Sequence, residues 1–221
     1  MVKRAGLTDE QFHAHWREPH GRLAMQVRDI RRYVQDHTFG AAPDVAGWPA
    51  TRYDGLPAVW FDSLADARAL HTNPDFQESH ADEMNLVDRD RLAWLYCTEH
   101  VVLAGPPMTT GDPEGWKLTL LIARHPDTAR VEFDAAIDAA TALGATSLPA
   151  VRRATYALPR TDDAGSPRFD AVIEFLFAGR AELEVATASP ALTTILDALT
   201  PVAEPAASEL AWTYEERWLW P

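Results

Sequence analysis

Apolar positions first recur at helical spacing. Phe12, Trp16, His20, Leu23 and Val27 form one stripe, three or four residues apart, as on the buried side of a helix. Leu7-Thr8-Asp9-Glu10-Gln11-Phe12 reads as its start: Thr8 can cap the Gln11 amide while the Gln11 side chain reaches back, and Leu7 can staple to Phe12. Pro19 removes the bond to the carbonyl of His15 and is predicted to kink or end the helix there. From Ile30 to His37 the period changes to two, a strand with Tyr33, Gln35 and His37 on one face. A loop rich in Pro, Gly and Ala over 40–50 leads to a second strand, Ala58 to Phe61. Ser63 and Asp66 then cap a helix from Leu64 to Leu70. An acidic, histidine-bearing segment, Asn73 to Asp88, precedes a strand from Leu92 to Leu103.

The same order returns in the second half. Strand Trp116–Ala123, helix Thr128–Leu143, strand Val151–Leu158, strand Ala171–Phe177, helical segment Ala181–Leu199 and strand Leu210–Trp220 give βαββαβ, a ferredoxin-like unit. Short motifs repeat as well. Leu92-Ala93-Trp94-Leu95-Tyr96 returns as Leu210-Ala211-Trp212-Thr213-Tyr214, 118 positions later, and Arg31-Arg32 as Arg152-Arg153, 121 positions later. Tyr53-Asp54 with Ala58 to Phe61 returns as Phe169-Asp170 with Glu174 to Phe177 at an offset of 116. The stretch 105–115, with three prolines and three glycines, is the boundary between a unit at 1–104 and a unit at 116–221. The first unit has only Met1 to Arg4 for its opening strand, so several residues ahead of Met1 are expected to be missing from the sequence. Each unit alone would leave one sheet face without a helix. The expectation is therefore an α+β fold in which two tandem ferredoxin-like units pack sheet to sheet as an intrachain pseudo-dimeric barrel.

Composition narrows the function. The chain has 221 residues, 47% of them hydrophobic, enough for a substantial core. A net charge of −13 repels phosphate backbones and anionic lipid, so nucleic-acid and membrane-surface roles drop away. No apolar run reaches the length of a membrane span, and no charged-then-apolar leader opens the chain. The single cysteine, Cys97, rules out an internal disulfide and fits a reducing compartment, so the expected location is the cytoplasm. Cys97 itself reads as a small packing residue on a strand.

Among polar residues on buried stripes, His20 stands out. It lies one turn after Trp16, facing the sheet, where an imidazole in apolar surroundings can stay neutral and act as a base. A core histidine bonded to a backbone carbonyl would look the same. Tyr33 and His37 share a strand face and could donate to a carbonyl or phenolate oxygen. Asp82 and Glu83 could orient His20, or belong with Asp88 to a solvated charge cluster. Seven of the eight histidines fall in the first unit, yet no metal-ligand spacing, phosphate loop or nucleophile elbow appears, so no metal and no cofactor is expected. Matching Phe133 to Phe12 puts Ile137 at the place of Trp16, Thr141 at that of His20, Ala154 at that of Tyr33 and Leu176 at that of Trp60. The acid/base groups are lost in the second unit while the apolar period stays.

Lys3-Arg4-x-Gly6-Leu7-Thr8-x-Glu10-x-Phe12-x-x-His15-Trp16-x-x-x-His20 resembles the opening motif of EthD-domain proteins. Arg31 to Gln35, Tyr53-Asp54-Gly55, Trp60-Phe61, Asp82-Glu83 with Val87-Asp88, and Glu99 to Val102 match the remaining blocks in order, so the resemblance spans residues 1–103. The second half matches only in outline, as a degenerate copy. The resemblance implies a dimeric α+β barrel, shared with polyketide cyclases, muconolactone isomerases and cofactor-free monooxygenases, and a functional histidine at His20. The combined expectation is a cofactor-independent enzyme with one site, in the first unit, acting on a hydrophobic, aromatic or polyketide-like carbonyl compound. His20 would remove a proton, Tyr33 and His37 would stabilise the enolate oxygen, and Trp16 and Trp60 would wall the pocket. Dehydration, isomerisation or cyclisation would follow, with cofactor-free oxygenation or non-catalytic metabolite binding as alternatives. Tryptophans near 212–220 could support a further homodimer.

Overall fold

The structure is a computed structural model that describes all residues except 41, 43–44, 46, 106–114, 161–167 and 220–221. Most of the expected linker at 105–115, and Trp220, lie outside the described residues.

Helix α1 (Asp9–His15) starts at the capping box read from the sequence, with the Thr8 side chain accepting from the Gln11 amide and the Gln11 side chain accepting from the Thr8 amide. It runs without a break into a π-helical turn (Trp16–His20) and then α2 (Gly21–Ala24). Pro19 therefore neither ends nor sharply breaks the helix. The wider π turn absorbs the missing amide, and Trp16 and His20 stay on the buried side. Strands β1 (Arg32–Thr38) and β2 (Gly55–Trp60) follow, then α3 (Leu64–Ala69), α4 (Gln77–Leu86) and β3 (Cys97–Leu103). The strand expected from Leu92 begins only at Cys97, so Leu92 to Tyr96 share letters with β7 but not conformation.

The second half supplies β4 (Gly115–Ile122), α5 (Arg130–Ser147), β5 (Arg153–Pro159), β6 (Ala171–Phe177), α6 (Arg180–Thr187), α7 (Pro190–Leu199) and β7 (Glu209–Leu219). All seven strands form one sheet in the order β2-β1-β7-β4-β6-β5-β3, antiparallel throughout. The second half contributes the four contiguous central strands, in the ferredoxin-like order. The first half contributes both flanks, β1 on β7 and β3 on β5, so the halves are joined by backbone hydrogen bonds as well as by side chains.

Laid flat, six inter-strand gaps would separate β2 from β3 by roughly 29 Å. Instead, Nε1 of Trp60 on β2 donates to Glu99 on β3 at 3.2 Å. The sheet is curled until its two ends nearly meet. Part of its inner face is charged: the Lys117 amine is 3.0 Å from Asp36, 3.3 Å from Glu174 and 2.6 Å from Glu215. Burial raises the Asp36 pKa against the pull of Lys117, while Asp36, Glu174 and Glu215 together outweigh burial to raise that of Lys117.

The main apolar core lies on the outer face, beneath the helices. Leu118, Leu120 and Ile122 of β4 and Phe175 and Phe177 of β6 pack against Phe133 and Ile137 of α5 and Leu192, Ile195 and Leu196 of α7. Trp212 belongs to this layer and donates to Thr187 at 3.1 Å, and Trp218 packs beside Gly21. Neither indole is the free surface anticipated for a dimer contact. Among the described residues, no helix is long and apolar enough to cross a membrane.

Candidate active site

The first helix and β1 enclose a polar layer where the second half has an apolar one. The Nδ1 atom of His20 lies 3.0 Å from Asp82 of α4, and the same carboxylate takes Nε2 of His15 at 2.9 Å. A carboxylate on Nδ1 holds the proton there and leaves Nε2 as the basic nitrogen. No hydrogen bond to Nε2 of His20 is made among the described residues. Burial pulls the His20 pKa below 6.5 against the opposing pull of Asp82, so the ring is neutral near pH 7. Burial works against ionisation of Asp82 too, but its bonds from His15, His20 and Asn85 win and keep its pKa below the usual value.

Tyr33 lies on the β1 face that meets the helix. Its hydroxyl oxygen accepts from the Trp16 indole at 3.2 Å and from Gln35 at 2.9 Å, and Gln35 also donates to the Trp16 carbonyl at 2.8 Å. Burial pushes the Tyr33 pKa up to about 12, so the phenol keeps its proton. Next along the strand, Nε2 of His37 lies 3.2 Å from Gln35 Oε1, and Nδ1 lies 2.9 Å from Nδ1 of His13. Glu216 of β7 reaches this end of the layer, 3.7 Å from His37 and paired with Arg17. Burial, and then the neighbouring His37, lower His13 to about 4.

Of the residues singled out from sequence, Trp16, His20, Tyr33, His37 and Asp82 thus line one helix–sheet layer. Glu83 is buried beside it, but its carboxylate is taken by His80 at 3.0 Å and Arg89 at 3.2 Å. It acts on His20 and Tyr33 through charge alone. Asp88 caps the short turn 89–91. Trp60 is not part of the layer. Tyr33 pairs with Val59 and Arg32 with Trp60, so alternation turns the Trp60 indole to the inner face of the curled sheet. There it lines a cavity of about 20 Å³, room for one water, with Glu99, Lys117, Arg153 and Leu176. Val59 takes its place beside Tyr33.

Sequence reasoning missed His13, His15, Gln35, Ser79 and Glu216. Ser79 stands one turn before Asp82 and Glu83 on α4, fully buried, with no partner for its hydroxyl among the described residues. The spacing of Ser79, Asp82 and Glu83 was the available signal. For Glu216, 179 positions from His37, none existed. Among the described residues, no three His, Cys, Asp or Glu side chains converge as a metal site.

A curled antiparallel sheet backed by helices places the chain among known α+β folds. It is similar to a candidate monooxygenase from Lactobacillus acidophilus NCFM, with a TM-score of 0.52 and 8% identity over 91% of this chain and 88% of the other. It is likewise similar to an anthrone oxidase-like protein, with a TM-score of 0.60 and 9% identity over the same shares. None of the curated proteins matches. Residues 4–90 match the model of the EthD domain family.

Proposed function

We propose that this protein is a cofactor-independent enzyme that begins its reaction by removing a proton from a carbon acid, a C–H beside the carbonyl of an aromatic or polyketide-like compound. His20, held by Asp82, is the base, and the Tyr33 hydroxyl donates to the oxygen on which negative charge develops. Trp16 packs beside that oxygen. The observation carrying the reading is the His20–Asp82 pair: one imidazole nitrogen is fixed by a half-buried carboxylate, and the other is neutral and free of any partner among the described residues. The Ser79 hydroxyl supports it as a further unsatisfied polar group on the covering helix.

Two fates are open to the resulting carbanion. It can expel a leaving group or be reprotonated elsewhere, giving a dehydratase, cyclase or isomerase. Alternatively it can meet dioxygen, in which case a methylene becomes a carbonyl and one dioxygen yields that oxygen and one water. The second fate is favoured by the candidate monooxygenase and the anthrone oxidase-like protein, which share the fold. In this reading residues 1–104 are the EthD-like unit with the site, and residues 116–221 are a degenerate unit completing an intrachain pseudo-dimeric barrel. The protein works in the cytoplasm on a hydrophobic small molecule.

The test is turnover of a panel of anthrones and aryl 1,3-dicarbonyl compounds in air and under argon, with oxygen uptake recorded. Turnover that needs air assigns the oxygenase; equal turnover under argon assigns the lyase or isomerase type. In either case His20→Ala should lower the rate by about 10²- to 10⁴-fold. A His20→Ala protein as active as the parent, or a parent that binds the panel and converts none of it, defeats the proposal.

A further inference from the structure

We propose that Gln35 is a positioning residue that frees the Tyr33 hydroxyl proton for a ligand, and that His37, backed by Glu216 of the second half, holds Gln35 in that orientation. This rests on the reading of Tyr33 as the donor to substrate oxygen.

The donor and acceptor assignments follow one from another. The Trp16 carbonyl can only accept, so the Gln35 atom 2.8 Å from it is the amide nitrogen. That nitrogen has two protons, and the second goes to the Tyr33 oxygen at 2.9 Å. The Trp16 indole N–H, which can only donate, takes the other acceptor position of the same oxygen at 3.2 Å. With both acceptor positions filled, the Tyr33 O–H must point away from Trp16 and Gln35. No acceptor for it is present among the described residues. Tyr33 is therefore a pure donor toward anything that enters the layer.

The arrangement would fail if the Gln35 amide turned over. Its oxygen would then face Tyr33, which would satisfy itself by donating to it, and the proton would be lost to the ligand. The Trp16 carbonyl resists this at one end of the amide, and His37 resists it at the other. Gln35 Oε1 needs a donor, and Nε2 of His37 at 3.2 Å supplies it. The proton is kept on Nε2 from two sides. The Glu216 carboxylate lies 3.7 Å from that nitrogen, and His13 Nδ1 at 2.9 Å donates to the Nδ1 lone pair. Arg17, from the π turn, pins the other Glu216 oxygen. Groups facing this end of the layer are thus His13 and Arg17 from the helix, Gln35 and His37 from β1, and Glu216 from β7. The second half, which has no acid/base pair of its own at the equivalent place, contributes Glu216 to the site of the first.

The experiment reads the phenol directly and needs no substrate. Tyrosine labelled at the ring carbon bearing oxygen gives one NMR resonance for each of the five tyrosines, and Tyr33 is assigned by its loss in Tyr33→Phe. At neutral pH the Tyr33 resonance should move in Gln35→Met, which removes the donor, and in His37→Leu, which releases the amide. It should stay at the parent position in His37→Gln, whose amide nitrogen can donate in place of Nε2. An unmoved resonance in both Gln35→Met and His37→Leu overturns the proposal, as does His37→Gln shifting as far as His37→Leu. Should Gln35→Met fail to fold, the two His37 variants decide it. If Tyr33 responds as expected while Tyr33→Phe leaves turnover intact, the hydrogen-bond relay stands and the function proposed above is what fails.

Discussion

Two helix–sheet layers of this molecule, one in each half, are filled with opposite chemistry. Under the first helix stand His13, His15, Trp16 and His20 over Tyr33, Gln35 and His37. Under α5, Phe133, Ile137 and Thr141 cover Ala154 and Phe175, all fully buried, and the Thr141 hydroxyl is spent on the Ile137 carbonyl of its own helix. Trp16, His20, Tyr33, Gln35 and His37 are as buried as their apolar counterparts, so burial alone does not call for histidines. The polar layer leaves the Ser79 hydroxyl and the Tyr33 proton without acceptors among the described residues, groups that the apolar layer does not have. The second half shows a helix–sheet layer without those groups.

The largest effect expected from breaking this contrast is on turnover. His20→Ala should cost about two to four orders of magnitude, whereas Thr141→Ala should leave the rate unchanged and lower stability by about 1 kcal/mol or less, read by denaturant midpoints. Equal rates in the two variants would remove the distinction between the layers.

A sharper test presses on a glycine in each half. A Cβ on Gly55 would come within 2.4 Å of the Trp16 ring, and one on Gly144 within 2.3 Å of Phe175. Gly55→Ala and Gly144→Ala should each destabilise by about 1–3 kcal/mol through overpacking. Only Gly55→Ala should also reduce turnover, because Trp16 holds the Tyr33 oxygen.

The smallest effect is a pH dependence confined to the first half. His13 is held at about 4 in the folded protein against 6.5 when free, and burial pulls His20 and His37 down as well. Unfolding therefore takes up protons once the pH is below about 6.5, and stability should decline from there toward pH 4. Hydrogen exchange at pH 5 should show the first helix and β1 opening ahead of α5 and β5. Uniform loss of protection would contradict the assignment.

Local signals were readable from the chain itself. The capping box at Thr8, the Ser63 cap on Asp66 and the strand Ala171–Phe177 all have short-range causes and stand where the sequence pattern puts them. So does the shared face of Tyr33, Gln35 and His37. What period-two alternation cannot say is which face meets a helix, and Trp60 was therefore assigned to the wrong side of its strand. Register decides it, and register depends on partners far away in sequence. The same holds for Glu216, for the pairing of β1 with β7, and for the charged part of the inner face, where Asp36 and Lys117 meet from opposite halves. Pro19 misled for a different reason: a missing amide can be absorbed by a wider turn as well as by a break.

The pairing of β1 with β7 also bears on how the chain is made. Residues 32–38 leave the ribosome roughly 170 residues ahead of the strand they join, 209–219. At ordinary translation speeds β1 waits roughly 10–30 s with β2 as its sheet neighbour. For that time a nascent protein exposes one edge of a strand that carries Tyr33, Val34 and His37, a natural point of attachment for chaperones and a point where synthesis rate can influence yield.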